Sequence, residues 1–296
     1  MNRTMTLMVA LGYSFCWGVG ITLTKWALAE IAAPTLLMIQ LSSSVLFLAI
    51  VCYLKHRWLP FSWPALKQGA AGVFEPALAY MVGIFGVQMT SASNASLIGA
   101  SEVILTILFA ALFLGEPLTH RKLGLASISI IGVLLLVLHG TQRDDPASWL
   151  GDMLVLLGTL FAVFYVLMSK QQMSFADPLR LTLSQQWVGL LVTAGCFGVL
   201  STFDPSYGVS AAHISPLFWL LAVGSGILQY ALAFSLYLIA LQHLPVSQAA
   251  FYVGLIPVFG VLSAVLLLGD RLTMLQGMGG VLVIASSYLA QRGNLG

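Results

Sequence analysis

Leu114-Gly115-Glu116-Pro117-Leu118-Thr119 and Leu268-Gly269-Asp270-Arg271-Leu272-Thr273 are two forms of one hexapeptide, set 154 residues apart. Working outward from the pair, the same shift lays Ser93-Asn94-Ala95 on Ser247-Gln248-Ala249, and Ala77-Leu78-Ala79-Tyr80 on Ala231-Leu232-Ala233-Phe234. From Ser93 to Thr119, nine of 27 positions are identical under that shift. Biased apolar usage alone gives roughly four. The chain is therefore an internal duplication. Nearer the N-terminus the match is weaker: Pro34 meets Pro178, and Gln40 lies near Gln185. The offset there is about ten residues smaller, which puts an insertion between the second and third helices of the second copy, at 204–215.

What is duplicated is a membrane unit. Of the 296 residues, 59% are apolar and 7% charged, with a mean hydropathy of +0.97. Soluble domains carry about 25% charged residues, so water cannot be the main solvent of this surface. A helix needs about 20 mostly apolar residues to cross the hydrocarbon core. Ten stretches qualify: 4–24, 34–54, 67–87, 93–114, 121–138, 150–169, 179–201, 217–241, 247–268 and 273–290. Short connections separate them, several marked by breakers at Pro34, Pro60, Pro117, Pro178, Pro205 and Pro245. A spanning β-barrel needs alternating strands of about 10 residues, and these runs are continuous and twice that length. The predicted fold class is an all-α integral membrane protein, ten transmembrane helices as two inverted five-helix repeats at 4–139 and 150–290. Inversion follows from parity: a unit with an odd number of spans, repeated, enters the bilayer the other way round.

Short-loop charges orient the chain. With the N-terminus cytoplasmic, the inner side holds Arg3, Lys55, Arg57, Lys67, Arg121, Lys122, Lys170, Arg180 and Arg292, against Lys25, Arg143 and Arg271 outside. Both termini are expected to be cytoplasmic. Arg3 before an apolar run and Ala27-Leu28-Ala29 resemble a secretory signal, but Lys25 interrupts the approach and the run is long enough to span. The net charge of +2 includes no dense basic run, so no nucleic-acid partner is expected. Cys16, Cys52 and Cys196 sit in apolar stretches without metal or disulfide spacing, and no cofactor is expected. Nothing sets the oligomeric state.

Inverted repeats are a transporter architecture, with the ligand site near the midplane between the halves. The candidate site residues are those that apolar spans have reason to exclude. Glu75 and Glu102 lie deep in the third and fourth spans, where a charge costs about 2.5–3.5 kcal/mol on insertion scales. Such groups face a bundle interior or a wet cavity, and desolvation favours the neutral form of any carboxyl. They are the candidates for binding a coupling proton or a cationic group; hydrogen bonding to a neighbouring helix is the structural alternative. Asn94, Ser101 and Glu102 share a helix face, and Gln248, the repeat mate of Asn94, is one turn from Tyr252. Trp17 shares a face with Tyr13, Gly20 and Thr24; Tyr165 follows Phe161; Gln229 and Tyr237 are eight apart, beside Tyr230. With Tyr80, these aromatic and polar groups suit an organic ligand, or simple packing. Trp58 and Trp63 read as interface anchors. Lys25 reads as a snorkelling rim residue, or as a gate partner of Glu30. Gly279 and Gly280, among other small residues, read as helix contacts.

The two hexapeptides resemble the LGE-x-LT signature of EamA-type members of the drug/metabolite transporter superfamily. Trp17-Gly18 with Lys25 eight positions after the Trp, and Thr90-Ser91-Ala92-Ser93-Asn94-Ala95, are similar to that family too. The resemblance spans nearly the whole chain. It implies ten helices, two EamA repeats and a central cavity lined chiefly by the third, fourth, eighth and ninth helices, with the first and sixth. It also implies a carrier of the bacterial inner membrane, often an exporter of amino acids, metabolites or toxic compounds. Ser101-Glu102 stands where that family often has an Asn-Pro-like pair; Pro257 keeps a proline near that place in the second copy.

The leading expectation is a secondary carrier that moves a small molecule, an amino acid, amine or drug, by alternating access, with protons as a possible coupling ion. ATP hydrolysis has no GxxxxGK[ST] loop. An intramembrane enzyme would need a mid-membrane constellation, yet His56, His120, His139, His213 and His243 all fall at predicted helix ends or loops. A scaffold is the third class, and duplication gives no reason for one.

Overall fold

The computed structural model describes residues 2–90, 98–137, 149–210, 214–269 and 272–292. Those residues are all helical or connecting. Six helical stretches are long and apolar enough to cross a membrane by themselves: Thr4–Ala27, Ala33–His56, Trp149–Gln172, Pro178–Phe203, Pro216–His243 and Val246–Leu268. Ile98–Leu114 and Met274–Ala290 are shorter apolar helices.

The helices are α1 (Arg3–Ala27), α2 (Ala33–His56), α3 (Trp63–Gln68), α4 (Ala79–Met89), α5 (Glu102–Leu114), α6 (His120–Val137) and α7 (Trp149–Gln172). Then come α8 (Pro178–Phe203), α9 (Pro216–Gly226), α10 (Ala233–His243), α11 (Val246–Val253), α12 (Ile256–Leu268) and α13 (Met274–Arg292). Their ends follow local chemistry. The Asn2 side chain accepts from the Met5 N–H at 2.8 Å and starts α1. Asp177 does the same for Arg180 at 3.0 Å, with Pro178 in the first turn of α8. α5 and α12 each stop at a glycine in the left-handed conformation, Gly115 at φ 68° and Gly269 at φ 74°.

The backbone repeats as the sequence does. Shifted by 154, Glu102–Leu114 becomes Ile256–Leu268, and Ala79–Met89 becomes Ala233–His243. Ahead of α10 the helix widens into a π-helical turn, Ile227–Leu232, whereas the matching stretch ahead of α4, Phe74–Leu78, is kinked at Glu75.

The third span differs from the expected continuous helix. After α3 the chain tightens to a 3-10 stretch, Gly69–Val73, before the kink. Gly69 and Gly72 leave no room for a Cβ against the Ser184 and Gln185 carbonyls, so α8 lies on this segment backbone to backbone. At Glu75 the backbone is extended, φ −145° and ψ 127°. Pro76, which has no N–H to give a helix, follows.

The hexapeptide turn has a long-range role that spacing did not reveal. Glu116 accepts from the Val246 N–H at 2.5 Å, the Ser247 N–H at 3.0 Å and the Ser247 hydroxyl at 2.5 Å. A first-copy carboxylate thus caps the N-terminus of second-copy α11. Beside it the Lys170 ammonium donates to the Leu241 and Leu244 carbonyls at 2.6 and 2.8 Å, and Lys122 donates to Pro117 O at 2.7 Å. The alternative reading of Lys25 as a gate partner of Glu30 is not seen: the Glu30 carboxylate is taken by the Ser215 N–H and hydroxyl. Elsewhere glycines set the approach, as where Gly132 of α6 meets Gly279 of α13. Large apolar side chains such as Leu112, Leu266 and Met274 point outward at 74%, 82% and 85% exposure, which suits lipid and not water.

Candidate functional site

The irregular segments converge on one cavity of about 320 Å³. α1 supplies Trp17 and Ile21. The break between α3 and α4 supplies Glu75, and Tyr80 follows on α4. α5 contributes Glu102 and Val103 from its first turn, after Gly99 and Ala100. Val133 of α6, Val166 of α7 and Tyr237 of α10 close other sides. The remaining wall is the interruption between α11 and α12: Val253, Gly254, Ile256 and Pro257. Glu75, Tyr80 and Glu102 also border a recess of about 230 Å³ toward Gly158 and Thr159 of α7.

Local sequence explains why the carboxylates arrive there. Glu75 sits at the extended residue between two helical pieces, so its side chain leaves the axis of both. Ser101 turns its hydroxyl back to the Ile98 carbonyl at 2.5 Å and stands as the N-cap, which makes Glu102 the first helical residue of α5. Neither carboxylate has a hydrogen bond or an ion pair among the described residues. Both are in electrostatic reach of Tyr80 and Tyr237, and of each other.

The aromatic side of the cavity is rigid. Trp17 packs edge-on against Phe234 at 4.9 Å and Tyr237 at 5.5 Å, and Tyr13 against Tyr237 at 5.0 Å. Tyr13 is itself pinned, its hydroxyl donating to the Ala249 carbonyl at 2.8 Å. Tyr237 is 2% exposed, and its hydroxyl has no hydrogen bond among the described residues.

Of the candidates read from sequence, Trp17, Glu75, Tyr80, Glu102 and Tyr237 come together around this volume. The others serve neighbouring positions. Gln229, 4% exposed, accepts from the Thr24 hydroxyl at 3.2 Å; Gln40 then donates to Thr24 at 2.7 Å and to Ser225 at 2.8 Å. This chain stands behind Tyr80, whose hydroxyl interacts with the Gln229 side chain. Tyr165 is fully buried and donates to Gln185 at 3.0 Å. Ser101 precedes α5 with its hydroxyl turned back to Ile98, Tyr252 is buried on α11, and Gln248 lies in the first turn of α11, away from the cavity. Asn94 lies outside the described residues. The apolar lining residues, Val133, Val166, Val253 and Ile256, carry no mark in the sequence, where they look like any packed position. Pro257 was noted only as the repeat's proline. Among the described residues no cluster of three or more His, Cys, Asp or Glu could hold a metal ion.

Glu75 and Gln229 are mates under the 154 shift, and Glu102 matches Ile256. The backbone repeats, but the two acidic groups belong to the first copy alone.

Comparison with known proteins agrees with this architecture. Residues 4–138 and 149–291 each match the EamA-like transporter family. An uncharacterized transporter of Archaeoglobus fulgidus is 28% identical over 235 residues, covering 79% of this chain and 76% of its own. A second from that organism is 23% identical over 287 residues, 97% of this chain and 98% of its own. A probable amino-acid metabolite efflux pump of Escherichia coli is 27% identical over 205 residues, 67% of each chain. A crystal structure 16% identical in sequence superposes with a TM-score of 0.79 over 98% of this chain and 99% of the other, which speaks to fold alone. With two successive family segments over nearly all of its length, the chain belongs to the EamA-like transporter family, a family of multi-pass membrane transporters and not of enzymes.

Proposed function

We propose that the protein is a secondary active carrier that exports small organic molecules by alternating access, using protons as the coupling ion. The observation that carries the reading is the pair Glu75 and Glu102, two carboxylates without a partner among the described residues, bordering one cavity. Ionisable groups at membrane depth mark substrate and proton pathways. Helix interruptions at Glu75 and at Gly254–Leu255 support it, since discontinuous helices form transporter sites and supply hinges. Ten spans in two inverted halves, both termini cytoplasmic and residence in a bacterial inner membrane complete the reading. The matched backbone segments support the repeat, and the nine-to-three bias of Lys and Arg supports the orientation. Amino acids, amines and drugs are the cargo classes that the cavity volume and its aromatic lining admit, and the E. coli relative's name points toward the first of these.

The test is uptake of a substrate panel into proteoliposomes under an imposed pH gradient. The carrier reading expects gradient-driven accumulation that Glu75→Gln or Glu102→Gln abolishes. Transport that ignores the gradient, or whose gradient dependence survives both substitutions, removes proton coupling. No transport of any panel member by folded protein removes the carrier reading.

A further inference from the structure

We propose that the cavity selects organic cations that carry no carboxylate over amino-acid zwitterions with the same apolar body. The inference rests on the carrier reading and narrows its cargo. Glu75 and Glu102 face the volume from one side. No Lys, Arg or His lines it among the described residues, and Ser91-Ala92-Ser93-Asn94-Ala95-Ser96-Leu97 contains none. An ammonium that enters meets two carboxylates. A guest carboxylate meets like charge and, among the described residues, no cation.

Several backbone donors at the cavity wall are already engaged. At the interruption between α11 and α12, the Gly254 and Leu255 N–H groups are bonded to Ala250 and Tyr252, and those of Val258 and Phe259 to Leu255. Pro257 has no N–H. The N-terminus of α5, which would otherwise attract an anion, carries its own carboxylate in Glu102. Trp17 and Tyr237 line the volume with polar groups that have no hydrogen bond among the described residues, but both are neutral donors. Their ring faces suit a cation and a flat apolar body. The volume of about 320 Å³ is at the small end for organic ligands, which fits a single aromatic ring system with a short amine arm.

Tryptamine, tryptophan methyl ester, tryptophan and indole-3-propionate share one ring and differ in charge. Equilibrium binding of radiolabelled tryptamine to the purified full-length protein, with the other three as competitors, reads the selectivity directly. Tryptamine is expected to bind saturably and the ester to compete within about threefold. Tryptophan is expected to be at least about tenfold weaker, or ~1.4 kcal/mol, and indole-3-propionate to leave binding unchanged. Tryptophan competing as well as tryptamine overturns the proposal, and so does the absence of saturable tryptamine binding by folded protein. Glu75→Gln and Glu102→Gln, checked for folding by gel-filtration profile, are each expected to shrink the gap between amine and zwitterion. A gap unchanged in both also overturns it. Counterflow in proteoliposomes separates the two levels: the binding order without counterflow removes the carrier reading alone, whereas tryptophan exchanging at tryptamine's rate removes the selectivity alone.

Discussion

Replacing Glu116 with glutamine tests why the LG-acid turn is written into the chain. The Glu116 carboxylate accepts three hydrogen bonds, from the Val246 and Ser247 amides and the Ser247 hydroxyl, and sits on the positive end of α11. Glutamine keeps the size but offers one oxygen, and its NH2 must face one of the donors. A hydrogen bond to a charged group contributes about 1.5–3 kcal/mol. The charge at a helix N-terminus adds about 0.3–1 kcal/mol. Glu116 is half-buried, so water recovers part of the loss. Glu116→Gln is therefore expected to cost about 2 kcal/mol net, and at about 2–4 °C per kcal/mol for a chain of this order the melting temperature falls by about 4–8 °C. Thermal unfolding of the detergent-purified protein, followed by intrinsic fluorescence, measures it. Ser247→Ala removes only the hydroxyl contact and is expected to fall between. A Glu116→Gln variant that melts within about 1 °C of the parent protein, on that same scale, would refute the view that this carboxylate ties the two copies together.

Gly279→Ala would place a Cβ 2.5 Å from the Gly132 carbonyl oxygen, so α6 and α13 must separate; overpacking of this kind costs about 1–3 kcal/mol, read as a lower melting temperature. Gln229→Leu is expected to cost about 1–3 kcal/mol by leaving the Thr24 hydroxyl without its buried acceptor, and to weaken ligand binding through Tyr80; unaltered melting and binding would place the network outside the site's support. Gly115→Ala and Gly269→Ala force alanine into left-handed turns at φ 68° and 74° in otherwise open space, so each should cost about 1–2 kcal/mol and the pair should add within about 0.5 kcal/mol, as separate melts will tell.

The duplication was legible because turn chemistry is local: a glycine that must adopt positive φ at the end of a helix leaves the same letters in both copies. The depth of Glu75 and Glu102 was legible too, because hydropathy makes a lone acid conspicuous. The break that aims Glu75 was not, since apolar runs carry no mark of helix phase and Pro76 alone does not distinguish a kink from a tolerated proline. Gln229 drew attention as a polar residue, yet the repeat shift that pairs it with Glu75 was the better clue to its place in the fold. Tyr165 could not be sorted from Tyr237 by sequence, because what separates them is a distant partner: Gln185 occupies the first hydroxyl and nothing described occupies the second.

The mismatch between Glu75 and Gln229, and between Glu102 and Ile256, divides labour between two related frames. One copy behaves as an electrode, holding the fixed charge that a guest or a proton must neutralise. The other, which presents Trp17's neighbours Phe234 and Tyr237 and the apolar edge at Ile256, behaves as an insulator. If the halves rock, the positive guest stays against the electrode while the insulator moves past it, so one copy reads the charge of the cargo and the other only its shape.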